Sequence, residues 1–182
     1  MSRVHASERK ESKFEVVAHF YKLRKEVTKL ALNNFSYDYD KSLKRLIHTF
    51  HCETWDDVTN LSTTEQTRIK MYVERHQGLE NWYLEDERYA IIHVLREIGS
   101  HITYANNIFP LYKEELIERR VYQDRAIAAC NNLLQELQYV IDVLPVNVNA
   151  YTGIATMVEQ EIKLLKGWRT SDNRVYKHLI DG

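Results

Sequence analysis

Apolar residues recur along this chain with alternating spacings of four and three. That is the period of a helix burying one face. Val16, Phe20, Leu23, Val27 and Leu30 make one such seam and predict a helix over 13–34. Ser12 with Glu15 reads as a capping box at its start, and the polar residues before it read as frayed chain. Ile91, Leu95, Ile98, Ile102, Ala105 and Phe109 predict a second long helix over 80–109, ended by Pro110. Gly99 inside it costs about 1 kcal/mol relative to Ala and points to close approach of a neighbouring helix. Ile127, Cys130, Leu134, Leu137, Ile141 and Leu144 form a third seam over 113–144. Glu114, Glu115 and Glu118 in its first turns suit the helix dipole. After Pro145, Asn147 or Asn149 caps a fourth helix at 150–167, with Ile154, Val158, Ile162 and Leu165 as its seam. Gly167 reads as the stop of that helix and Trp168 as a lid over the bundle end. Residues 168–182 then form a basic tail with one short turn starting at Ser171 or Asp172.

Between the first two long seams the pattern is interrupted. Short helices are predicted at 40–51, 54–60 and 63–76, the last opened by a Ser62/Glu65 capping box. The economical architecture is all-α: one domain over 1–182, an antiparallel four-helix bundle with a helical insert at 35–79.

Composition narrows the picture. Five Gly and two Pro in 182 residues favour long helices over many-turned β structure. A net charge of −1 provides no global attraction for nucleic acid, so any such surface must come from local clustering. Cys52 and Cys130 fit no metal or disulfide spacing and read as reduced thiols. No apolar run reaches the roughly 20 residues of a membrane span. The opening residues lack the apolar core of a signal peptide, so a cytoplasmic protein is expected.

Dedicated chemistry is sparse. No His has a Glu three residues before it, which removes the di-iron bundle signature, and no cofactor is expected. His48 and His51 share a face near Cys52, but exposed helical histidines explain them better than a metal cluster. Arg88 before His93, Arg96 before His101 and Arg45 before His51 loosely resemble the Arg–His pairs of HEPN-type helical ribonucleases. Such spacings arise by chance in a chain with eight His, and the expectation is a protein that is not an enzyme.

Binding surfaces remain. Lys22, Arg24, Lys25 and Lys29 cluster on the first helix, and Arg119, Arg120 and Arg125 on the 113–144 helix. Lys163, Lys166, Arg169, Arg174 and Lys177 cluster toward the end. In an antiparallel bundle these groups can merge into one face that binds phosphate in a salt-sensitive way. Tyr21, Tyr122, Trp168 and Tyr176 are candidates for stacking on unpaired bases.

Two segments carry a family resemblance: RRVYQDRAIAACNNLLQELQYVIDVL at 119–144 and MVEQEIKLLKGWRTSDNR at 157–174. KFEVVAHFYKLRKEVTKLAL at the first helix adds to them less specifically. The chain resembles the accessory variability determinant (Avd) proteins of diversity-generating retroelements and, more distantly, the rRNA intervening-sequence proteins. The resemblance implies a four-helix protomer in a homo-oligomer, a pentamer. It also implies binding to a reverse transcriptase and its template RNA in support of mutagenic cDNA synthesis, without catalysis. By the same resemblance Arg119, Arg120, Lys166, Arg169 and Arg174 face nucleic acid or polymerase. The competing readings are a HEPN-like ribonuclease and a structural homo-oligomerising bundle.

Overall fold

The structure is a computed structural model and describes residues 6–77 and 81–180. Every regular element among them is a helix. Four are long: α1 (Ala6–Leu32), α5 (Asn81–Asn107), α6 (Lys113–Val143) and α7 (Asn149–Val175). Between α1 and α5 lie α2 (Tyr39–Thr49), α3 (Trp55–Val58) and α4 (Thr63–Gln77), and α8 (Lys177–Ile180) closes the chain. None of the helices described is long and apolar enough to cross a membrane.

The long helices share one core. α5 packs along α6, α6 on α7, α7 on α1 and α1 on α5. The α1 seam is buried as its spacing predicts, and so are Ile91, Leu95, Ile98, Ile102 and Ala105 of α5. Phe109 is the exception, lying exposed beyond the end of α5. On α6 Cys130, Leu137 and Leu144 of the predicted seam are buried, and Ala126, Ala129, Leu133 and Val140 complete the buried line. Ile127, Leu134 and Ile141 flank it, half-buried. Gly99 packs against α1: a Cβ there would lie 2.9 Å from the Phe20 ring.

Three helix ends differ from expectation. α1 begins at Ala6, so Ser12 lies inside the helix instead of capping it. Residue 148 occupies the cap position of α7, while the Asn147 side chain accepts from the Asn149 amide at 3.3 Å. α7 also runs straight through Gly167 to Val175. The seam explains this, because Trp168 and Asp172 continue the buried line of Val158, Glu161 and Leu165 at helical spacing. Burial of Trp168 outweighs the weak helix preference of one glycine. Trp168 is therefore a core residue of a continuing helix, and no separate tail starts there.

The Ser62/Glu65 capping box forms, with the Ser62 hydroxyl and amide both donating to Glu65. The insert has its own small core of Ile47, Cys52 and Ile69. At its start Asn34, Phe35 and Ser36 all have positive φ, near 46°, 58° and 60°. Burial of the Phe35 ring and a 2.8 Å hydrogen bond from the Tyr151 hydroxyl to the Phe35 carbonyl hold this strained turn against α7.

Candidate nucleic-acid interface

The predicted basic residues differ in burial and in their partners. Arg119 is the clearest correction, because it is fully buried. Its Nε donates to Asp172 Oδ2 at 2.6 Å, Nη2 to Asp172 Oδ1 at 3.0 Å, and Nη1 to the Ile108 carbonyl at 2.6 Å. Gln123 donates to the same carboxylate at 2.7 Å, and Trp168 and Tyr176 lie over the guanidinium. Arg119 thus faces the interior and ties α6 to α7. It is compensated there and presents nothing to a phosphate.

Its neighbours are also engaged. Arg169 pairs with Asp124 across α6 and α7, and Arg120 donates to Asn173. Lys29 pairs with Glu26 at 2.7 Å and lines a groove against α7. Lys22, Lys25, Lys163, Lys166, Arg174 and Lys177 are exposed. The α1 group is split: Lys29 lies on the side facing α7, Arg24 on the side facing α5.

A different grouping emerges around Arg24. Between α1 and α5 runs a groove of about 370 Å³. Phe20 and Gly99 lie in it, Ser100 and Thr103 line it, and Arg24 and Arg96 reach it from the two helices. Tyr21 and Tyr104 also line it, and both are largely exposed. Among the described residues neither Arg24 nor Arg96 has a carboxylate partner; no acid lies three or four positions from either on its own helix. Tyr104 packs on Tyr122 of α6 at 5.2 Å, and Arg125 lies over the Tyr122 ring at 5.5 Å. A strip of arginines and tyrosines therefore crosses α1, α5 and α6. Such a strip offers charge-assisted hydrogen bonds to phosphate and flat π faces to bases.

Tyr21, Arg24, Tyr122 and Arg125 were expected at a nucleic-acid surface. Arg96 and Tyr104 were missed in that role. The available signal was their place on one α5 face, with Arg96, Ser100, Thr103 and Tyr104 at helical spacing around Gly99.

The Arg–His pairs take separate positions. Arg88 is used structurally, donating to the Ala31 carbonyl at 3.1 Å and to Asn34 at 2.8 Å. His93 is exposed near Glu97, and Arg96 lies in the groove. His101 stacks toward Tyr122, and burial, then Arg125, lower its pKa. Arg45 and His51 are exposed on the insert. Cys52 and Cys130 are free and buried, and the described residues contain no metal-ready group of three His, Cys, Asp or Glu side chains.

One further polar node sits in the core. Glu161 is fully buried, with one oxygen 2.6 Å from His19 Nδ1 and the other without a partner. Burial raises its pKa to about 8, while burial, then Lys22, lower that of His19. The pair is best described as a neutral acid donating to a neutral imidazole, since a carboxylate with an orphaned oxygen is the costlier form in a dry core.

Comparison of the chain with family models, with curated proteins and with solved structures finds no match.

Proposed function

We propose that this chain is a non-catalytic accessory protein that binds unpaired nucleic acid. In this reading the four long helices form an antiparallel bundle with the insert at one end. The strip of Arg24, Arg96, Arg125, Tyr21, Tyr104 and Tyr122 holds the strand. The observation that carries the reading is the pair of uncompensated arginines facing each other across a groove rimmed by exposed tyrosines. Two arginines without internal carboxylate partners are available to phosphate, and the tyrosines accept bases without regard to sequence. The resemblance to Avd proteins adds the partners: a reverse transcriptase, its template RNA and further copies of this chain.

Binding of a fluorescent oligouridylate to the full chain over a salt series tests the proposal. Each phosphate contact to a single strand contributes about 0.7 to the slope of log affinity against log salt. Arg24→Ala and Arg96→Ala should each reduce the slope by about that amount. Tyr104→Ala should lose about 1–3 kcal/mol of affinity with little change of slope. Salt-independent binding, or unchanged slopes in both arginine variants, refutes the assignment.

A further inference from the structure

A polar hollow of about 340 Å³ lies where the insert meets the bundle. It shares no residue with the groove between α1 and α5. Three pieces of chain wall it. Asn33 and Ser36 come from the turn after α1, Asp38, Lys41 and Arg45 from the start of α2, and Asn147 from the link between α6 and α7. The α2 residues recur at three and four positions, so one face of that helix looks into the hollow. Ser42, on the same face, fastens α2 to the link by donating to the Pro145 carbonyl at 3.1 Å. The volume falls within the roughly 300–1,000 Å³ of clefts that enclose small ligands. The strained turn at Asn34, Phe35 and Ser36 forms one wall, and strain of that kind in non-glycine residues gathers at ligand clamps.

The lining has a surplus of donors. Neither Lys41 nor Arg45 has a side-chain hydrogen bond or ion pair among the described residues. The same holds for the Asn33 amide and the Ser36 hydroxyl. Asn147 spends only its oxygen, on the Asn149 amide. The two cations also stand against local preference. They lie one turn apart, where like charges repel, and Lys41 sits in the first turn of α2, where the helix dipole disfavours a cation. An anion seated between them reverses both effects. The one acid on the wall, Asp38, accepts the Lys41 amide at 2.9 Å through Oδ1. Its second oxygen is an acceptor suited to a hydroxyl.

We infer that this hollow binds the phosphate monoester of a small hydroxylated molecule. Lys41 and Arg45 hold the phosphate oxygens, and the amides of Asn33 and Asn147 and the Ser36 hydroxyl complete the donor set. Asp38 takes a hydroxyl of the carbon framework. Inorganic phosphate offers the same oxygens but no framework that reaches Asp38. None of these residues belongs to the strip of arginines and tyrosines, so the site stands apart from nucleic-acid binding.

Isothermal titration of the full chain with ribose 5-phosphate tests the site, with ribose and inorganic phosphate as comparison ligands. Ribose 5-phosphate should bind saturably and one to one, inorganic phosphate more weakly, and ribose not at all. Lys41→Gln and Arg45→Gln alter exposed positions, so both variants should keep the fold, checked by circular dichroism, and each should bind at least tenfold more weakly. Affinity should also fall as pH drops below about 6, where the phosphate loses its second charge. Lys22→Gln with Lys25→Gln, which removes two exposed cations of α1, should bind as wild type, and so should Arg24→Ala and Arg96→Ala. Absence of saturable binding by both phosphate ligands overturns the inference. So does equal binding of ribose, wild-type affinity in the Lys41 and Arg45 variants, or an equal loss in the Lys22/Lys25 control. Equal affinity for inorganic phosphate overturns the ester in favour of the free ion.

Discussion

Replacing Asp172 with Ala isolates the buried ion pair that ties α6 to α7. The substitution leaves the Arg119 guanidinium buried, with only the Ile108 carbonyl of its two oxygen-bearing partners. Both bonds of the bidentate pair are lost, and Gln123 loses its acceptor as well. Removing one partner of a buried pair costs about 3–5 kcal/mol, because an unpaired charge remains where water cannot reach it. Against a total stability of about 5–15 kcal/mol, that is a large share. Urea unfolding followed by circular dichroism measures the loss, which should appear as a lower midpoint at an unchanged slope. The double replacement Arg119→Met, Asp172→Leu supplies the contrast. It removes the charge with its partner and should recover most of the stability, since well-packed apolar residues replace buried ion pairs at little or no loss. The double variant should also keep wild-type RNA affinity, because Arg119 faces the interior. An Asp172→Ala loss below about 1 kcal/mol would refute the burial argument. Loss of RNA binding in the stable double variant would return Arg119 to the interface.

Two further outcomes follow from the core. Gly99→Ala gains about 1 kcal/mol of helix preference but drives a methyl group into the Phe20 ring, an overpacking worth about 1–3 kcal/mol. The melting temperature should fall, whereas in a Phe20→Leu background the same substitution should no longer lower it; a rise in the otherwise wild-type chain would contradict the close approach. Glu161 gives a pH dependence: its pKa in the fold is about 8, above the ordinary 4.5, so the folded chain holds the proton more tightly than the unfolded chain. Its contribution is complete below about pH 4.5 and is lost as pH rises through about 8, an effect on the order of a few kcal/mol. His19 works in the opposite sense, with its contribution lost as pH falls below about 6.5. Melting temperatures from pH 6.5 to 9 should therefore decline in wild type and flatten in Glu161→Gln; parallel curves would show that Glu161 is already ionised at neutral pH.

The helices were legible because burial writes a simple period when the buried residues are apolar. Val16 to Leu30 and Ile91 to Ile102 are of that kind, and the structure buries them all. The errors that bear on the site fall where polar side chains occupy core positions. Leu116, Arg119, Gln123 and Ala126 continue the buried face of α6 toward its start, and Glu161 and Asp172 continue that of α7. An Arg or an Asp at such a position looks like surface until its partner, 53 residues away, is known to face it. The same ambiguity made Gly167 look like a stop, since the seam beyond it rests on Trp168 and a charged residue. The groove was half legible: Tyr21 and Arg24 stand out on α1, but only the α1–α5 contact brings them to Arg96 and Tyr104.

The insert carries a consequence for how the chain holds together. Its apolar cluster of Ile47, Cys52 and Ile69 is separate from the main core. Its Ser42 hydroxyl donates to the Pro145 carbonyl in the link between α6 and α7. The end of α1 and the start of α5, which the insert joins, already lie side by side through Arg88 and Ala31. The long helices therefore do not depend on the insert for their meeting. With an apolar cluster separate from the main core, α2 to α4 are expected to exchange their amide hydrogens ahead of the long helices. The strained turn at Phe35, pinned by Tyr151, marks the junction between the two clusters, the place where such a difference in exchange would begin.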